Sequence, residues 1–159
     1  MVPFGLAPAQ FLARYRRCLD RAAPHLIAEL RMLIARPVPA TVREAEVQIF
    51  LSEDGEAAPE TWIYFTGPDN RVDRLDKASI FAGQSLEIAC GFDGMDRFDA
   101  RYFTDDDYGG LYLSANAAKA WFAECWWKAG GWSYPVPARV LVHDDRGDGN
   151  AIALAERGG

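Results

Sequence analysis

Residues 114–132, SANAAKAWFAECWWKAGGW, hold four of the chain's five tryptophans within twelve positions and set a helix between two groups of strands. Ser114 has the side chain of an N-cap, residues 117–123 are strong helix formers, and Gly130-Gly131 forms a stop. At about 100° per residue, Ala118, Trp121, Phe122, Cys125 and Ala129 share one face, with Trp126 at its flank. Trp127 falls on the far side, beside Ala120, Ala123 and Glu124. A single aromatic face is explained as core. An indole on the opposite face predicts a second surface, covered by another part of the chain or by a partner.

Upstream, residues 8–35 repeat at helical spacing. Phe11, Leu12, Tyr15, Cys18, Leu19, Ala22, Leu26, Leu30 and Leu33 share one face, with Ile27 and Ile34 at its margin. The phase continues across Pro24, which predicts either one long helix kinked there or two pieces joined end to end. Arg36-Pro37-Val38-Pro39 closes the helical region, because residues before proline avoid the α conformation. Arg14, Arg17 and Arg21 form a stripe on the polar side, read as a solvated face. An anionic partner or the chain's own acids are the alternative.

From Val42 the rhythm changes to strands. Val47-Gln48-Ile49-Phe50-Leu51 and Thr61-Trp62-Ile63-Tyr64-Phe65 flank an acidic loop over residues 52–60 containing Asp54-Gly55, and read as a hairpin. Gly67-Pro68-Asp69-Asn70 is a turn cluster, and residues 71–83 read as irregular. Residues 85–89 and 98–104 are further strand candidates, separated by Gly91-Phe92-Asp93-Gly94. After the tryptophan helix, residues 139–143 and 151–155 form a C-terminal hairpin around a loop dense in Asp and Gly. The expected architecture is a single α+β domain over residues 1–159. It has a long N-terminal helix, a mostly antiparallel sheet of about five or six strands, the tryptophan-rich helix and the C-terminal hairpin.

Charge is unevenly divided. Residues 1–43 carry seven arginines against Asp20 and Glu29, a net of +5. Residues 44–159 carry ten Lys or Arg against twenty-one acids, a net of −11. An acidic body disfavours general nucleic-acid binding and fits a basic partner or simple solubility. No apolar run approaches the ~20 residues that span a bilayer, and the first ten residues lack the form of a signal peptide. A cytoplasmic protein without membrane contact is expected. Cys18, Cys90 and Cys125 are odd in number and widely spaced, and two histidines complete a poor ligand set, so neither a disulfide framework nor a zinc site is expected.

Chemistry-bearing motifs are sparse. Asp105-Asp106-Asp107 is the densest acidic feature and reads as an exposed turn before a helix rather than a metal site. The loop from Asp144 to Asn150 resembles a calcium loop but has Arg146 at its third position. His143 with Cys90 or Ser133 has no local nucleophile motif around it, and His25 follows Pro24 in the helical region. Tyr112, Trp126, Trp127, Trp132 and Tyr134, bracketed by Asp105 to Asp107 and Glu124, combine aromatic faces with carboxylates, a combination suited to cationic side chains and interface anchors.

The element order and acidic balance are similar to those of small bacterial binding proteins such as secretion chaperones and toxin-neutralising immunity proteins, a likeness of architecture alone. The expected function is a non-enzymatic protein-binding module, inhibitor-, immunity- or chaperone-like, that takes a protein partner, basic in character, through Trp126, Trp127, Trp132, Tyr134, Asp105, Asp106 and Asp107. No cofactor or metal is expected, and a homo-oligomer is compatible with this reading. The alternative is a small-molecule-binding domain or enzyme with an aromatic pocket near Trp126, Trp127, Trp132 and His143.

Overall fold

The computed structural model describes residues 1–53, 59–68, 85–90 and 95–156. The expectations placed on Asp54-Gly55, Asp69-Asn70, residues 71–83 and residues 91–94 lie outside the described residues. The fold is α+β. Helix α1 spans Pro8–Ile34, followed by strands β1 (Glu44–Phe50), β2 (Glu60–Thr66) and β3 (Ser85–Ile88). Then come a one-turn helix α2 (Arg101–Thr104), α3 (Gly110–Lys128), β4 (Ala138–Val142) and β5 (Ile152–Ala155).

α1 runs unbroken through Pro24. A proline inside a helix removes the bond to the carbonyl four residues back, here Asp20. Both Asp20 and Pro24 are exposed, so the freed carbonyl lies on the solvent side and the helix continues. The helix starts with Pro8 in its first turn, and Gln10 reaches back to accept the Ala7 N–H at 3.0 Å. Phe11, Tyr15, Cys18, Leu19, Ala22, Leu26, Leu30 and Leu33 are all buried, as their shared phase predicts.

The five strands lie in the order β3-β2-β1-β4-β5. Three pairings are antiparallel, and β1 with β4 is parallel. That parallel pair arises because the chain leaves the β1-β2-β3 meander, passes through α3 and returns on the other side of β1. Alternation then sorts the side chains. Ala45, Val47 and Ile49 of β1, Ile63 and Phe65 of β2, and Ala138, Val140 and Val142 of β4 are buried beneath the helices.

Two expectations are corrected. Residues 98–104 are not a strand: Phe98 makes an isolated bridge to Val2, and the chain then turns into α2. Asp99 decides this locally, since its carboxylate accepts the Arg101 backbone N–H at 2.9 Å and starts a helical turn. Phe98, Tyr102 and Phe103 are all buried, at helical rather than alternating spacing, around Phe11, whose ring lies 5.4, 4.8 and 5.8 Å from theirs. The tryptophan helix begins at Gly110, not after Ser114. Gly109 enters it at φ 73°, a left-handed conformation that favours glycine, and Ser114 is buried inside, its hydroxyl donating to the Leu111 carbonyl at 3.1 Å. The stop is as read: Gly130 at φ 92° donates its N–H to the Trp127 carbonyl.

Candidate functional site

The tryptophan group divides between interior and surface. Trp126 and Tyr134 belong to the core, their rings edge-to-face at 5.1 Å, and Trp126 Nε1 donates to the Gly131 carbonyl at 2.9 Å. Neither has surface to offer a partner, which corrects their place in the expected contact set. Trp127 is half-buried rather than free. Its ring stacks on Trp132 at 4.6 Å and 6°, and Nε1 donates to the Leu154 carbonyl at 3.1 Å. The far side of α3 is covered because α3 packs against α1, β4 and β5 together, and Trp127 lies along the edge strand β5. Trp132 is widely exposed, at 66%, and so is Tyr112, at 53%, near the other end of α3. Trp127→Ala is expected to lower stability by about 1–3 kcal/mol, through a lost hydrogen bond and a lost stack. Urea unfolding with an unchanged midpoint would put Trp127 back on free surface.

The acidic triplet lies elsewhere. Asp105 Oδ1 accepts the N–H groups of Asp107 and Tyr108 at 3.0 and 3.2 Å, so it builds the turn before α3. Asp106 and Asp107 are exposed beside that turn. From Gly110 to Trp127 the helix rises roughly 25 Å at 1.5 Å per residue. The acids and the tryptophans therefore sit at opposite ends of α3 and form no common surface. The residues of the alternative aromatic pocket are likewise not brought together. His143 packs on Phe50 at 4.5 Å on the side of the sheet opposite α1 and α3, at the end of β4 away from Ala138, the residue that pairs with β5 near Trp127.

Other candidates are absorbed by the fold. The loop after His143 is held by Lys119, a buried ammonium of α3 that bonds Asp148 and the Asn150 carbonyl. The chain's own cation thus occupies the acidic loop that resembles a calcium site. Arg14 and Arg21 close on Asp96 at 3.4 and 3.5 Å, so the arginine stripe meets the chain's own acid. All three cysteines are buried, and burial pushes the Cys90 thiol up to about 11 and Cys125 up to about 12, away from the thiolate that nucleophilic chemistry needs. Among the described residues no cluster of His, Cys, Asp or Glu is arranged to hold a metal ion.

What remains is the face of the sheet that carries no helix among the described elements. Alternation sends Glu44, Glu46, Gln48 and Phe50 of β1 to it, with Glu60, Trp62, Tyr64 and Thr66 of β2. Register adds Ser85 and Glu87 of β3, Arg139 and Leu141 of β4, and Ala153 of β5. One cross-strand row reads Glu87, Trp62, Gln48, Leu141; the next reads Ser85, Tyr64, Glu46, Arg139, Ala153. Phe50, Trp62, Tyr64 and Leu141 are partly exposed there, an apolar centre among carboxylates.

Polar groups lock this face in place. Gln48 Oε1 faces His143 Nδ1 at 3.1 Å, and Gln48 Nε2 donates to Glu46 at 2.8 Å. Arg139 donates to the other Glu46 oxygen at 2.7 and 3.1 Å. Partial burial alone would raise the Glu46 carboxyl, but the bonds from Arg139 and Gln48 outweigh it and hold the group below its ordinary value. Trp62 Nε1 donates to Glu60 at 2.8 Å, which fixes the indole's orientation. The strands place four glutamates on this face against one arginine, and that arginine is already paired.

The fold and this face define an α+β protein with helices on one side of a mixed sheet and an acidic, aromatic surface on the other. Comparison with known protein families, with curated proteins and with solved structures finds no match.

Proposed function

We propose that this protein is a non-catalytic binding module whose contact surface is the helix-free face of the sheet, and that its partner is a protein presenting basic side chains. The observation that carries this reading is the composition of that face. Trp62, Tyr64 and Leu141 occupy its middle and Phe50 one end, while Glu60 and Glu87 carry negative charge that lies away from Arg139, the one cation of the strands. Aromatic residues at a flat centre supply the buried area of an interface, and the surrounding charge selects and steers the partner. The tryptophan stack at Trp132 lies apart from the acidic triplet, and the turn at Asp105 sets Tyr112 beside Arg146, a cation that the sheet face lacks around Trp62.

Immobilised wild-type protein, incubated with extract of the source organism, is expected to retain a basic protein that Trp62→Ala/Tyr64→Ala loses, with affinity down about 30-fold or more. Trp132→Ala should retain it, and raised salt should release it. Equal recovery on all three proteins, with unfolding midpoints showing each to be folded, would refute the assignment of this face.

A further inference from the structure

We infer that Trp62 is the seat of an arginine side chain of that partner, an inference resting on the binding role given to this face. The indole lies in the middle of β2 with its ring edge tied to Glu60, so it presents a face of fixed orientation. Glu87 is its direct cross-strand neighbour on β3 and Gln48 on β1. Directly opposed residues bring their Cβ atoms to roughly 4.5–5.5 Å, within reach of a group resting on the ring.

A guanidinium lying flat on the indole therefore meets carboxylates on two sides. Glu87 approaches across the sheet. Glu60 approaches along the strand, one of its oxygens engaged by the indole N–H. Cation–π attraction and the two carboxylates act on the same charge. Arginine fits better than lysine, because its plane matches the ring, its forked donors match the carboxylates, and it is more weakly hydrated.

No cation of the described residues fills this place. Arg139, the strands' one basic residue, is bound to Glu46, and the described cation–π contact of the chain is Arg101 over Phe4, at 4.9 Å. Gln48, opposite Trp62 on β1, is held by Glu46 and His143 and keeps that side of the ring uncharged. The seat is thus acidic on the β3 side and neutral on the β1 side, which orients an incoming side chain.

The test uses the full chain, labelled with nitrogen-15, and three capped peptides that differ only in a central arginine, lysine or citrulline. The indole N–H resonance of Trp62 is assigned from Trp62→Phe. The arginine peptide is expected to shift it saturably, with affinity about tenfold above citrulline and severalfold above lysine. Glu60→Gln/Glu87→Gln should weaken the arginine peptide severalfold, with thermal unfolding unchanged. Equal shifts from arginine and citrulline, or from arginine and lysine, would overturn the inference, as would an arginine affinity unaltered in Trp62→Ala. If these peptides fail while capture of a basic protein is still lost in Trp62→Ala/Tyr64→Ala, the arginine seat falls and the binding face stands. If both fail, the face itself is wrong.

Discussion

Trp126→Ala is expected to lower the stability of the fold by about 3–5 kcal/mol, whereas Trp132→Ala, six residues on, should cost no more than about 1 kcal/mol. Trp126 is fully buried, stacked at 6.5 Å on Phe122 and edge-on to Tyr134. Truncation leaves a cavity that a dense core refills only in part, and takes from the Gly131 carbonyl one of its two donors, leaving only the Tyr134 N–H. Gly131 is shaped by the same ring, since a Cβ there would run into the Trp126 indole. Trp132 is two-thirds exposed and gives up little more than its stack on Trp127. Denaturant titrations of both variants check the division. Similar midpoint shifts for the two would show that the tryptophans form one structural unit.

Leu26→Ala and Leu30→Ala should each destabilise by about 2–5 kcal/mol, with Met32→Ala on the same helix staying within about 0.5 kcal/mol. Leu26 and Leu30 have no exposed surface, while Met32 is 59% exposed. The contrast isolates burial from helix propensity, because leucine, methionine and alanine are all good helix formers. Midpoints equal across the three variants would remove α1 from the core.

Much of this architecture is legible residue by residue. The buried face of α1 follows from spacing that survives Pro24. The β1–β2 and β4–β5 hairpins follow from β-branched and aromatic runs around turn residues, and the end of α3 follows from Gly130. Each of these rests on backbone preference or on a side-chain period set within a few residues.

The outer face of the sheet is also written in the sequence, as the alternation Glu44, Glu46, Gln48, Phe50 on β1 and Glu60, Trp62, Tyr64 on β2. Tryptophan density pointed instead to α3, because a sequence does not say which side of an element is covered. Burial of ten of the nineteen residues of α3 needs α1 and the β4–β5 edge to close on it together. Residues 98–104 illustrate the same limit: their aromatic run suits a strand, but pairing of Val2 with Phe98 and the turn closed by the Asp99 carboxylate lead it into α2.

Periodicity alone determined which residues of α1, β1, β2 and β4 face inward, since each pattern is local. Only the tertiary structure decided that Tyr134 is core, that Trp127 lies along an edge strand, and that Trp62 stands on an acidic face. The physical reason is that burial belongs to the layers meeting at a residue, and those layers come from chain segments far apart in sequence.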